Sequence, residues 1–284
     1  MSAADAKARP GQRGGLAIKG WRAAEAVIKR EALRFVHQRG RFIAALVRPL
    51  VWLFIFAAGF RSVLGVSIQP PYETYVLYEV YITPGLCGMI LLFAGMQSSL
   101  AMVYDREMGS MRVLLVSPLP RWFLLISKLL AGVIVAVLQV YVFLAIAWFW
   151  EVEPPLYGYV TVLPALLLAG FMLGALGLLL SSVIRQLENF AGVMNFVIFP
   201  MFFASSALYP LWRIRESSLL LYQICSLNPF THAVEMIRFA LHGQIDGLST
   251  LITLGFTLLF LAGAIYGYDP GRGFMQARRS GTLG

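Results

Sequence analysis

Residues 124–150 read LLISKLLAGVIVAVLQVYVFLAIAWFW, an apolar run interrupted by a single charge, Lys128, and by no proline or acidic residue. A helix needs about 20 residues to cross the hydrocarbon of a bilayer, so this stretch is long and dry enough to be a span. Five more stretches meet that length, at 43–64, 80–103, 159–183, 190–211 and 248–268. Pro84, Pro164 and Pro200 fall inside these runs, which spanning helices tolerate because their neighbours satisfy the backbone groups that proline frees. The fold expected is an all-α membrane protein with six transmembrane helices.

The composition agrees. Hydrophobic residues make up 59% of the 284 positions and charged residues 13%, against about 25% charged in a soluble domain. A net charge of +9 would suit nucleic acid only if the basic residues gathered on a folded polar surface. Here they gather at the ends of apolar runs, eleven of the 23 within the first 48 residues, so no nucleic-acid partner is expected. Cys87 and Cys225 fit no C-x-x-C spacing, and His37, His232 and His242 form no ligand pattern with them, so neither a metal site nor a catalytic thiol is expected. The first 30 residues hold no apolar stretch of signal-peptide type.

Residues 1–18 read as a disordered cytosolic arm. Over 19–42, Trp21, Ile28 and Phe35 share a stripe bordered by Arg22, Lys29, Arg30 and Arg34, the pattern of an amphipathic helix lying in the headgroup layer against membrane lipid. A solvated charged helix is the alternative. With the N-terminus inside, 19 Lys and Arg fall on cytosolic segments and four, Arg61, Arg213, Arg215 and Arg238, outside. That bias sets the orientation expected, with both termini cytosolic in a bacterial-type inner membrane and 269–284 as a cytosolic tail. Residues 212–247 form an outer helical loop, re-entrant or packed on the outer ends of the spans. In it Asn228-Pro229 starts a helix at 230–242 with Phe230, Val234, Ile237 and Leu241 on one face.

Chemistry is sparse. Arg48, Arg61 and Lys128 lie near the ends of apolar runs, where long side chains snorkel to water. Gln97, Ser98, Ser99, Gln139 and Asn195 are the uncharged polar groups within spans, suited either to interhelical hydrogen bonds or to substrate contact. Gln97, Gln139 and Asn195 are the candidates for a translocation path. No Gly-Lys-Ser/Thr, H-E-x-x-H or G-x-S-x-G occurs, so neither nucleotide binding by a P-loop nor hydrolase activity is expected. A translocating unit of this kind draws its work from a partner.

The segment 104–121, between spans two and three, carries Arg106-Glu107, Gly109, Arg112, Leu114-Leu115, Pro118 and Arg121. In its R-E-x-G-(x)4-L-L-x-x-P-(x)2-R form it resembles the cytosolic coupling segment of the type 2 ATP-binding-cassette exporter permeases, which serve drug, polysaccharide and lipo-oligosaccharide export. Arg48-Pro49, Pro84-Gly85, Tyr209-Pro210 and Asn228-Pro229-Phe230 extend the resemblance over nearly the whole chain. The physical reading runs parallel. Asp105 and Glu107 suit the start of a short helix, Gly109 allows close backbone approach, Pro118 ends the helix, and Leu114 and Leu115 are free to enter a groove on a partner.

The resemblance implies that two such subunits, identical or closely related, pair with two cytosolic ATPase subunits that bind ATP and Mg, while this chain binds no cofactor itself. Tyr209, Pro210, Asn228 and Pro229 then belong to an outer gate. Glu107 is expected to pair with a cation of the interfacial helix, such as Arg30 or Arg34, and so pass on the ATPase's push. A passive channel or assembly scaffold without nucleotide coupling is the alternative function.

Overall fold

The structure, a computed structural model, describes residues 39–60, 70–72, 76–107, 121–150, 152–184 and 186–268. The interfacial helix with Trp21, Ile28, Arg30, Arg34 and Phe35, the stretch 108–120 with Gly109, Arg112, Leu114, Leu115 and Pro118, and the tail lie outside the described residues.

Each of the six apolar runs contains a helix: α1 (Arg39–Phe60), α2 (Tyr78–Glu107), α3 (Arg121–Trp148), α4 (Gly158–Val183), α5 (Leu187–Phe203) and α9 (Gly247–Gly267). Three shorter helices, α6 (Leu211–Ser217), α7 (Leu219–Leu227) and α8 (Pro229–Leu241), fill the segment between α5 and α9. Pro49, Pro84, Pro164 and Pro200 all sit inside helices. Among the described residues, α2, α3, α4 and α9 are long and apolar enough to cross a bilayer, while Ile43–Ile55 and Leu187–Phe203 are shorter apolar stretches.

One boundary differs clearly from the sequence reading. The run 190–211 continues as helix only to Phe203. There side chains take over from the backbone ladder. The Ser205 hydroxyl donates to the Phe202 carbonyl at 2.6 Å and accepts from the Ala207 N–H at 3.2 Å. The Asn228 amide donates to the carbonyls of Met201 (2.8 Å) and Ala204 (2.6 Å). The last carbonyls of a helix need such partners when no further turn follows, and apolarity alone does not reveal who supplies them.

α4 is the central element, packed against α9, α2, α8 and α3. α2 adds α1 and α5 to the bundle. Small residues allow the close approach. A Cβ on Gly95 of α2 would lie 3.0 Å from the Gly174 backbone of α4, and one on Gly177 would lie 2.5 Å from the Ser99 hydroxyl. Where lipid chains are as apolar as leucine, helices associate through this close backbone packing rather than through water exclusion. The outer surface is greasy, with Leu248, Leu251, Leu258 and Leu259 of α9 all exposed. Such a patch belongs to a membrane-facing protein rather than to a water-facing one.

Candidate functional site

Hydrogen bonds sort the helix ends into two groups. At one end Tyr78 of α2 donates to the Leu208 carbonyl (3.0 Å), Tyr141 of α3 to the Tyr159 carbonyl of α4 (2.7 Å), and Thr161 of α4 to the Ala240 carbonyl of α8 (2.6 Å). At the other end Lys128 of α3 meets Asp105 of α2 (3.1 Å), and Ser181 of α4 meets the Tyr268 hydroxyl (2.8 Å) after α9. The orientation expected from the basic residues would make the first end the outer one and the second the inner one.

At the outer end the expected helix of the 212–247 segment forms as α8, with Pro229 at its first position. Asn228 serves two helices. Its Oδ1 accepts from the Phe230 N–H at 3.0 Å, capping α8, while its amide ends α5. An N-cap of this kind contributes about 1 kcal/mol. Pro210 is buried at the head of α6, and Tyr209 beside it is exposed. Of the residues expected at an outer gate, Asn228 bonds to the end of α5 and Pro229 begins α8, while Tyr209 and Pro210 lie at the head of α6.

The centre of this end is Arg238, which the sequence reading left without a role. It is 1% exposed. Its guanidinium donates from Nη1 to Glu235 and from Nη2 to the carbonyls of Ser206 (2.9 Å) and Tyr81 (3.4 Å), and lies 4.1 Å from the centroid of the Tyr81 ring. Tyr81 in turn donates to the Ser206 carbonyl at 3.1 Å. α8, α2 and the turn after α5 thus converge on one cation. Burial by itself would lower the Arg238 pKa, but Glu235, Tyr81 and Tyr72 outweigh it and hold the pKa above its ordinary value. Burial pushes the Tyr72 hydroxyl up to about 12 despite the nearby guanidinium. His242, edge-on to Tyr72 at 4.9 Å, is pushed down by burial, against the bond to the Arg238 carbonyl, with a smaller push down from the Arg238 charge. A signal for this centre was present in the sequence, since a basic residue falls within the apolar face of α8, between Val234 and Leu241. Its partners lie as many as 157 residues away and had no such signal.

At the inner end Lys128 is buried rather than snorkelling, because Asp105 supplies a partner within the bundle. Asp105 sits inside the last turn of α2, where the sequence reading had it begin a new helix; Glu107 closes α2 and is exposed. The helix cations proposed for Glu107 lie outside the described residues, as do the side chains of Arg106 and Arg121.

Of the path candidates, Gln97 on α2 and Asn195 on α5 are exposed and Gln139 on α3 is buried. Ser99, expected to bond between helices or to substrate, donates within its own helix to the Gly95 carbonyl at 3.0 Å. The buried hydroxyl is satisfied locally, which lets Gly177 of α4 pack directly on it. Cys87 and Cys225 are both free and buried.

A bundle of long apolar helices with a greasy exterior is an α-helical membrane protein. Residues 22–242 match the model of a family described as ABC-2 type transporter. The chain therefore belongs to that family and is a membrane transport component. It is 27% identical over 221 residues to a putative transport permease, ycf38, of Porphyra purpurea, covering 76% of this chain and 72% of that one. A ycf38 permease of Cyanophora paradoxa is 27% identical over 218 residues, covering 75% and 72%. The probable multidrug ABC transporter permease YbhR of Escherichia coli K12 is 29% identical over 170 residues, covering 59% of this chain and 45% of that protein.

Proposed function

We propose that this chain is the membrane-spanning permease subunit of an ATP-binding-cassette exporter, driven by a separate cytosolic ATPase. α1 to α5 and α9 serve as its six spans, with both termini on the cytosolic side of a bacterial-type inner membrane. Two copies, or one copy and a close relative, enclose the path. The observation that carries the reading is the position of the R-E-x-G segment. Its flanks, the end of α2 and the start of α3, lie at the end of the bundle opposite α8, where a cytosolic motor would push.

Arg106, Glu107, Gly109, Arg112, Leu114, Leu115, Pro118 and Arg121 then form the docking element, and Tyr209, Pro210, Asn228 and Pro229 the outer gate. The exposure of Gln97 and Asn195 supports them as path-lining groups. In the alternative, a passive channel or scaffold, no ATPase is needed. Purifying the tagged permease with its ATPase and measuring vanadate-sensitive hydrolysis in lipid nanodiscs separates the two. Stable capture, with hydrolysis reduced several-fold by Glu107→Gln or by replacing Leu114 and Leu115 with Ser, is the expected result. A permease that captures no ATPase sinks the proposal.

A further inference from the structure

The two helices that flank the 108–120 segment are joined just inside the membrane end by one charged contact. Lys128 Nζ lies 3.1 Å from Asp105 Oδ2, with side-chain exposures of 10% and 21%. Asp105 is in the last turn of α2 and Lys128 in the third turn of α3, so the pair closes the base of the loop that the proposed function assigns to the ATPase. Beside it lies a small cavity lined by Ser98, Lys128, Gly132, Gly174 and their neighbours. Helix packing there is by small residues, with no other side-chain ion pair among the described residues at this end.

We propose that Asp105 and Lys128 are positioning residues for coupling: they bind α2 and α3 into one lever, so that displacement of the intervening segment moves both helices together. The proposal rests on the reading of this chain as an ATPase-driven permease. A loop anchored to one helix alone would spend its displacement on moving α2 relative to α3. With the pair intact, the charges must separate within a largely dry bundle before the helices slip, which is costly because each is left without its partner. The sequence offered Glu107 for a contact with the interfacial helix, which lies outside the described residues; its near neighbour Asp105 makes a separate contact across the loop.

The test uses the whole permease with its ATPase in nanodiscs, in a Cys87→Ala, Cys225→Ala background carrying Tyr209→Cys at the exposed outer gate. The readout is the rate of labelling of position 209 by an impermeant maleimide, with and without ATP and vanadate. Asp105→Asn with Lys128→Met removes both charges and leaves neither orphaned, so the double variant should fold. It should capture the ATPase and hydrolyse ATP within twofold of the parent, while the nucleotide-induced change in labelling falls at least fivefold. Lys128→Arg, which keeps the charge, should retain that change within twofold. A full labelling response in the double variant would make the pair a structural contact only and overturn the proposal. So would loss of ATPase capture, which would place the pair in docking, and so would an equal loss in Lys128→Arg. If the parent captures no ATPase or shows no nucleotide response, the underlying reading of the chain fails instead.

Discussion

From Tyr78 to Phe93 every residue of α2 except Val80 is buried, and Tyr78 and Tyr81 bond to the 206–208 turn while Arg238 grips Tyr81 from α8. From Gln97 to Glu107 the same helix exposes Gln97, Tyr104 and Glu107, and its described ion pair is the one with Lys128. Directional bonds to a buried charge are stronger than neutral ones and cannot slide without being broken. At one end α2, α8 and the 206–208 turn are therefore held by several directional bonds centred on Arg238, whereas at the other α2 and α3 are held by the single Asp105–Lys128 pair.

The sharpest way to break this contrast is Arg238→Gln. It strands Glu235 and leaves the Ser206 carbonyl without its charged donor, a loss of about 3–5 kcal/mol for a buried pair broken on one side. The same change at exposed Arg213 or Arg215, which rest over aromatic rings at 5.3 and 5.7 Å, should stay within about 0.5 kcal/mol. Thermal melting of the detergent-solubilised protein measures both. Equal melting temperatures for the two kinds of variant would mean that Arg238 does not hold the cap.

Glycines give the next comparison. A Cβ at Gly158 would overlap the Leu241 carbonyl, and one at Gly85 would come 2.6 Å from the Ala207 carbonyl oxygen, whereas Gly192 and Gly255 have nothing within 4 Å. Gly158→Ala and Gly85→Ala should each cost about 1–3 kcal/mol through overpacking against backbone. Gly192→Ala and Gly255→Ala, in open helical positions, should be neutral or gain up to about 1 kcal/mol from helix propensity. The order of the four melting temperatures is the check.

The smallest effect expected is at His242. Its pKa lies below the ordinary 6.5 because burial disfavours its charged form, more than the bond to the Arg238 carbonyl favours it, with the Arg238 charge adding a smaller push downward. Its contribution to stability is therefore present above 6.5 and lost as the pH falls through the lowered folded pKa. Melting temperature should drop more steeply below pH 6.5 in the parent than in His242→Gln. Parallel curves would show that burial does not hold the His242 ring neutral in the folded protein.

Much of the bundle was legible beforehand. A span must be a run of apolar residues about 20 long, because the bilayer leaves backbone groups no partner but the helix itself, and runs such as 159–183 and 248–268 gave helices within a residue or two of those limits. Asn228-Pro229 announced α8 for an equally local reason, since an N-cap and the proline after it act within one turn. The end of α5 was not legible, because the groups that cap its carbonyls come from Ser205 and from Asn228, 27 residues beyond Met201.

The sequence by itself determined that this chain is helical and membrane-embedded, since length and apolarity are properties of consecutive residues. Only the tertiary structure decided which charges matter. Whether Arg238 or Lys128 meets water or a partner depends on which remote helix end lies opposite, and a buried charge takes its meaning from that neighbour alone.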